Sequence, residues 1–167
     1  MKRWRRYIWP VVWGIWSALM IAQIVLAFFF NIPGIQGLRY FGWAVLALSA
    51  VFGWMPIFAF RKKGGVAKGK SYVHTTVLVD SGIYTVVRHP QFLAMALINL
   101  ALMLIAQHWL IVIIGAVSMV LLYLMAIKAE QYLIGKFGDD YKRYMQRVPR
   151  MNVFAGLTRL ARCRERE

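Results

Sequence analysis

Four long runs of apolar residues, each free of Asp, Glu, Lys and Arg, dominate the hydrophobic pattern of the chain. They cover residues 8–30, 40–60, 91–106 and 109–127. A membrane-spanning helix needs about 20 such residues, so the first, second and fourth runs are long enough and the third is short. Only Gln107 and His108 separate the last two runs, so the pattern predicts a tight antiparallel helical hairpin there.

The composition agrees with a membrane protein. Of 167 residues, 60% are hydrophobic and only 16% are charged, whereas soluble domains average roughly 45–50% apolar and 25% charged residues. This excludes a disordered tail, a coiled coil and an ordinary soluble domain. We predict an all-α integral membrane protein with four transmembrane helices, in which residues 1–167 form a single membrane domain.

Basic residues are sorted along the chain, and their positions predict the topology. There are 21 Lys and Arg against 6 Asp and Glu, a net charge of +15. Four basic residues precede the first run, six lie between 61 and 88, ten follow residue 127, and Arg39 is the one exception. Because Lys- and Arg-rich loops stay in the cytoplasm, we expect both termini and segments 61–90 and 128–167 to be cytoplasmic, with the inner (plasma) membrane of a prokaryote as the location.

The ends of the chain fit that topology. The first run is longer than the apolar core of a secretory signal, about 7–15 residues, so we interpret it as a retained helix. The single cysteine, Cys163, lies in the basic tail on the reducing side, which excludes a disulfide framework.

Polar residues within the runs are few and none is ionisable. They are Gln23, Ser49, Asn99 and Ser118. A proton-coupled transporter normally has an ionisable group within the membrane, so this class is disfavoured. We expect Gln23 and Asn99 to form hydrogen bonds between helices.

The loop 77–90, VLVDSGIYTVVRHP, contains a turn and the start of a helix. Gly82 can adopt a positive φ, and Pro90 suits the first position of the third helix, which places His89 at the N-cap. Unpaired N–H groups at this helix start and the charge of Arg88 would together hold a carboxylate or phosphate. The alternative, that Arg88 contacts lipid phosphate while His89 caps the helix, is equally compatible with the spacing.

A second polar segment, residues 127–150, follows the fourth run. Glu130 is the only acid between Asp80 and Asp139, and we expect the fourth helix to continue and carry it to the level of the third helix's start. Gly138 is predicted to end this helix, and Asp139 or Asp140 to cap a short helix that ends before Pro149. Glu130 could equally serve as a counter-ion for Lys128 or Arg88.

Other chemistries are disfavoured. His74, His89 and His108 do not cluster and the one cysteine cannot build a zinc site, so we expect no metal. Neither a glycine-rich phosphate loop nor a G-x-S-x-G motif is present. Topology and anionic lipid already explain the basic face, so we expect membrane lipid and no nucleic acid as a partner.

Together the two polar segments resemble the isoprenylcysteine carboxyl methyltransferase and phospholipid methyltransferase superfamily of integral membrane enzymes. The resemblance covers about residues 77–150. It rests on Gly82-Ile83-Tyr84, Arg88-His89-Pro90, Glu130, Leu133, Phe137-Gly138, Tyr141, Tyr144 and Val148-Pro149-Arg150.

The resemblance implies a methyltransferase that uses S-adenosylmethionine in a cytoplasm-facing pocket and takes a lipophilic methyl acceptor from the bilayer. It implies cofactor binding by Leu78, Val79, Gly82, Tyr84, His89, Pro90 and Glu130, and catalytic roles for Arg88 and Glu130. Arg88 and the helix start would suit the cofactor carboxylate, and Glu130 its ammonium or sulfonium charge. The chain departs from the superfamily pattern at three positions, Thr76, Phe92 and Ala129.

Methyl transfer from a sulfonium requires alignment of donor and nucleophile and exclusion of water. A carboxylate or thiolate acceptor is nucleophilic when ionised, whereas an amine needs a base, which slightly favours an acceptor such as a prenylcysteine carboxylate over a phospholipid amine. Two alternatives remain: a non-catalytic four-helix protein that binds anionic lipid or a partner, and a nicotinamide-dependent reductase, whose known members are larger. The sequence leaves open whether the tail 157–167, with leucines among arginines, is an interfacial amphipathic helix.

Overall fold

The computed structural model describes residues 2–30, 34–63 and 77–164. Within these residues the fold is entirely helical, without a β-strand. The helices are α1 (Lys2–Phe29), α2 (Gln36–Lys63), α3 (Pro90–Ala106), α4 (Trp109–Phe137), α5 (Asp139–Arg147) and α6 (Val153–Arg164), with a 3₁₀ turn, η1, at Gly82–Thr85. His74 and Thr76 lie outside the described residues. The predicted all-α class is confirmed.

Three of the described helices are long and apolar enough to cross a bilayer. The candidate spans are Trp9–Phe29, Gln36–Ala59 and Trp109–Phe137. Helix α3 is as apolar but has 17 residues, which corresponds to about 25 Å against a hydrocarbon core of about 30 Å. The chain is therefore an integral membrane protein with three candidate spans, and the fourth span remains a prediction.

The chain divides into two compact units. One comprises Met1–Ser49 and Met95–Met125, and the other Ala50–Ala94 and Ala126–Glu167. The first unit contains most of the apolar helical mass, and the second contains both polar segments that the sequence singled out.

In the first unit, buried polar groups join the helices. The side-chain amide nitrogen of Gln23 donates to the backbone oxygens of Asn99, at 3.2 Å, and Ile111, at 3.4 Å. The expected interhelical role of Gln23 is thus confirmed. Asn99 takes part in this interhelical contact through its backbone oxygen, whereas its side chain donates to the Met95 carbonyl of its own helix at 2.8 Å.

The connection between α3 and α4 is as short as predicted. It consists of Gln107, whose φ is 51°, and His108. The Gln107 side chain accepts from the Ile35 N–H at 2.8 Å and donates to the Ile35 carbonyl at 2.9 Å. This reciprocal pair satisfies the backbone of the residue just before α2 and fixes the connection.

In the second unit, helix ends follow the predicted signals. Helix α3 begins at Pro90, and the carbonyl of His89 accepts from the Leu93 N–H at 3.0 Å, so His89 is the N-cap. Helix α4 does continue past residue 127 and ends at Phe137, after which Gly138 adopts a φ of 58°.

The predicted cap of α5 is wrong. Gly138 occupies the N-cap position without a side-chain bond, and Asp139 and Asp140 lie within the first turn. Their carboxylates instead accept from Lys142, at 2.8 Å, and Arg143, at 2.6 Å. Acidic groups in the first turn still favour the helix, because they face its unpaired N–H groups.

Candidate functional site

A buried carboxylate, Glu130 of α4, is the centre of the polar cluster in the second unit. Glu130 is 3% exposed. Arg150, in the segment between α5 and α6, donates through Nε to Oε1 at 2.9 Å and through Nη2 to Oε2 at 2.7 Å. This two-point geometry is the strongest arrangement of an arginine and a carboxylate.

Two further groups reach the same carboxylate from the start of α3. Nη2 of Arg88 lies 3.2 Å from Oε1 of Glu130, and Nε2 of His89 lies 3.5 Å from that oxygen. The cluster therefore holds two guanidinium groups against one carboxylate. Among the described residues this leaves the cluster with a net positive charge, which favours an additional anion.

Backbone hydrogen bonds fix the segments that carry the two arginines. The N–H of Arg88 donates to the Pro149 carbonyl at 3.0 Å, and the N–H of His89 to the Arg150 carbonyl at 3.1 Å. Pro149 cannot donate a backbone hydrogen bond, but its carbonyl can accept one. The positions of Arg88 and Arg150 thus depend on a short pairing between residues distant in sequence.

Two tyrosines of α5 complete the buried part of the cluster. Oη of Tyr144 donates to the carbonyl of Tyr84 at 2.7 Å, which attaches α5 to η1. Tyr141 is 1% exposed. Burial, together with the nearby Glu130 charge, raises the pKa of Tyr141 above its ordinary value. Burial is also the main cause that raises the pKa of Tyr144, so both phenols stay neutral at physiological pH.

A cavity of about 270 Å³ lies beside this cluster. Its wall is formed by the segment before α3, the first turn of α3, the end of α4, and α5. The lining residues are Val77, Leu78, Val79, Tyr84, Arg88, His89, Pro90, Gln91, Phe92, Ala129, Tyr132, Leu133, Lys136, Phe137, Tyr141 and Tyr144. A second, more open cavity of about 840 Å³ shares four of these residues: Val77, Leu78, Phe137 and Tyr144.

The structure brings most of the sequence-predicted site residues to the 270 Å³ cavity. Those in its wall are Leu78, Val79, Tyr84, Arg88, His89 and Pro90. Gly82 is outside the wall, on the exposed side of η1, where its φ of 65° allows the chain to turn. Glu130 is also outside the wall and holds Arg88, which lies in it.

Sequence reasoning did not assign three of the site's residues. Arg150, Tyr141 and Tyr144 were among the motif residues that carry the resemblance, but none of them received a role. The signal that could have found Arg150 is charge balance, since a buried glutamate needs a partner. Lys128, which the sequence offered as a counter-ion, is exposed, whereas Arg88 is confirmed in that role.

The arrangement suits an anionic ligand. The side chain of Arg88 is only 8% exposed, and within the described residues its Nε and Nη1 have no hydrogen-bond partner. Buried N–H groups without acceptors are costly, and a ligand carboxylate or phosphate would satisfy them. Among the described residues no group of three or more His, Cys, Asp or Glu is placed to hold a metal ion.

The fold and site define an integral membrane protein, entirely helical where described, with a buried arginine–glutamate cluster beside a ligand-sized cavity. Residues 15–140 match the family model described as phospholipid methyltransferase. The chain belongs to the phospholipid methyltransferase family.

A curated relative extends the comparison. Over 98 residues the chain is 26% identical to the protein-S-isoprenylcysteine O-methyltransferase of Schizosaccharomyces pombe (strain 972 / ATCC 24843). The match covers 53% of this chain and 42% of the relative, so the chain spans less than half the length of that protein. The two comparisons bear out the superfamily that the sequence motifs indicated.

Proposed function

We propose that the protein transfers a methyl group from S-adenosylmethionine to a lipid-like acceptor that enters from the bilayer. The observation that carries this proposal is the buried guanidinium of Arg88 in the wall of a cavity at the start of α3, where two of its nitrogens have no hydrogen-bond partner among the described residues. Membership of a methyltransferase family supports the reaction class.

The chemistry of the cavity wall fits the cofactor. Arg88 and the start of α3 would hold the carboxylate. The aromatic wall, which includes Tyr84, Phe92 and Phe137, would cover the adenine and face the sulfonium, since aromatic rings attract cations. Small-molecule sites measure about 300–1,000 Å³. The 270 Å³ cavity is slightly smaller, so in this proposal the cofactor also extends into the adjoining 840 Å³ cavity.

The role that we propose for Glu130 differs from the cofactor contact that the resemblance implied. Both of its oxygens already accept from Arg150, and Arg88 contacts one of them as well. We therefore propose that Glu130 positions the two arginines, whereas contact with the ammonium or sulfonium of the cofactor was the sequence-based expectation.

When bound, S-adenosylmethionine supplies an electrophilic methyl group on a positively charged sulfur. The residues of the chain have to orient the donor and exclude water. Among the described residues, the side chains that could act as a base are already engaged: arginines occupy Glu130, Nε2 of His89 lies 3.5 Å from Glu130 Oε1, and burial keeps Tyr141 protonated. An acceptor already ionised at neutral pH, such as a prenylcysteine-type carboxylate or a thiolate, therefore fits better than a phospholipid amine.

In this proposal α3 is the fourth span, and the cavity and both termini are cytoplasmic in a prokaryotic inner membrane. The distribution of Lys and Arg supports this orientation. The short α3 can be accommodated by local thinning of the bilayer.

Calorimetric binding of S-adenosylhomocysteine to the detergent-purified protein tests the proposal without the acceptor. We expect wild-type protein to bind and Arg88→Gln to bind at least about tenfold more weakly, since a charged hydrogen bond contributes about 1.5–3 kcal/mol. Lys128→Gln, an exposed cation on α4, is the matched control and should bind like wild type.

Two outcomes would contradict the proposal. Absence of binding by folded wild-type protein would favour the non-catalytic, lipid-binding alternative. Equal loss of affinity in Arg88→Gln and Lys128→Gln would mean that the ligand responds to overall charge rather than to this cavity.

A further inference from the structure

Helix α6 exposes an apolar stripe that its own unit does not bury. Phe154 is 83% exposed and Leu157 is 52% exposed, and Thr158 and Ala161 are also exposed. Spacings of three, four and seven residues place these side chains on one face of the helix.

Arginines border this stripe on both sides. Arg162 and Arg164 are exposed and follow Phe154 by eight and ten positions. At about 100° per residue they lie roughly 80° to either side of Phe154 on the helix surface. Long arginine side chains can rest on apolar surface while their charged ends reach a polar layer.

The opposite face of α6 is fixed to the protein. Nη2 of Arg159 donates to the Thr85 carbonyl at 2.6 Å, and Gly156 packs directly against the Val86 carbonyl. At the start of the helix, the Asn152 side chain accepts from the Ala155 N–H at 3.0 Å. The apolar stripe is therefore presented on a helix whose orientation is already set.

The partner is identified by charge complementarity. Helix α6 carries three arginines and no acid within Val153–Arg164, and a stripe of apolar side chains between cations is typical of helices that lie in an anionic bilayer surface. We propose that α6 lies in the headgroup layer of an anionic leaflet, with Phe154 and Leu157 in the acyl boundary and Arg162 and Arg164 on lipid phosphates.

Site-directed spin labelling of the full chain tests this arrangement. A nitroxide is attached at Thr158→Cys in a Cys163→Ser background, so that the stripe keeps Phe154 and Leu157. The protein is reconstituted in vesicles of phosphatidylcholine alone or mixed with phosphatidylglycerol. We expect the label in mixed vesicles to collide several-fold more with oxygen, which concentrates in lipid, than with a water-soluble nickel chelate.

Two paired variants separate local contact from overall charge. Arg162→Gln with Arg164→Gln should shift the label in mixed vesicles several-fold towards the nickel chelate. Lys142→Gln with Arg143→Gln removes the same charge from exposed positions of α5 and should leave the collision ratio unchanged. Circular dichroism confirms that each variant is folded.

Three results would overturn the inference. The label could be accessible to the nickel chelate in both types of vesicle, which would mean that the stripe lies in water. It could be protected from both reagents, which means that a second copy or another protein covers it. The two paired variants could also change the ratio equally. The measurement involves no cofactor, so its outcome is independent of S-adenosylhomocysteine binding.

Discussion

At the scale of single residues, Glu130 could be singled out from the sequence but its environment could not. It is the only acid in a long basic stretch, so the sequence singles it out. The sequence does not show which side chains contact it. Arg150 is twenty positions away and is brought to it by the turns at Gly138 and Pro149. Local sequence patterns predict such turns, but they do not predict which of several arginines forms the ion pair with Glu130.

The pairing of Glu130 with two arginines predicts strongly non-additive mutational effects. Glu130→Gln should lower thermal stability markedly, because removal of one partner from a buried ion pair costs about 3–5 kcal/mol. Arg150→Gln should cost less, since Arg88 still neutralises the carboxylate. The double variant should be more stable than the sum of the two losses implies, as measured by thermal unfolding in detergent. Additive losses would contradict a direct interaction between the two side chains.

At the scale of elements, the sequence predicted helices where termination signals are strong. Pro90 and Gly138 mark real boundaries. The helix over 109–127 follows from its unbroken apolar pattern, and its continuation to Phe137 agrees with the stop signal at Gly138. The start of α6 was less apparent, because it depends on Asn152 and on packing against η1 rather than on its own hydrophobic pattern. The cap of α5 was misassigned because Gly138 takes the N-cap position itself.

Packing between α6 and η1 predicts a site-specific effect of one added methyl group. A Cβ at Gly156 would overlap the backbone oxygen of Val86, so Gly156→Ala should displace η1 or α6. We expect a loss of about 1–3 kcal/mol in stability, as for overpacked cores, together with weaker S-adenosylhomocysteine binding.

Gly135→Ala is the control for this prediction. Outside its own helix, no atom of the part of the chain that the structure describes lies within 4 Å of a Cβ at Gly135, and alanine is the better helix former by up to about 1 kcal/mol. This variant should therefore be neutral or slightly stabilised in the same thermal unfolding and calorimetric measurements. Equal behaviour of the two variants would show that α6 and η1 are not in tight contact.

At the scale of the whole molecule, hydropathy was sufficient for the class of protein and insufficient for the number of spans. Three of the helices that the structure describes satisfy the length requirement, and α3 falls short of it. Charge distribution predicts on which side the loops lie, but a 17-residue apolar helix is compatible both with crossing the bilayer and with a shallower position. The ambiguity has a physical origin, since bilayers adapt their thickness at modest cost.

Labelling with a membrane-impermeant maleimide resolves the fourth span. In intact cells, Trp109→Cys in a Cys163→Ser background should react, because the proposed topology places this first residue of α4 at the outer surface of the membrane. The native Cys163 should react only after the membrane is opened. The reverse pattern, in which Cys163 reacts in intact cells and Trp109→Cys reacts only after the membrane is opened, would contradict a transmembrane α3, because α4 crosses between these two positions.

The backbone pairing of Arg88 and His89 with Pro149 and Arg150 also has a consequence for biogenesis. The start of α3 leaves the ribosome well before Arg150 is synthesised. During that time Arg88 is present in the nascent chain without its final partners. Lipid phosphate or water would solvate its guanidinium during that interval. Completion of the cavity is therefore a late event, which requires that translation has passed α5 and that the emerging segment folds back onto helices already inserted.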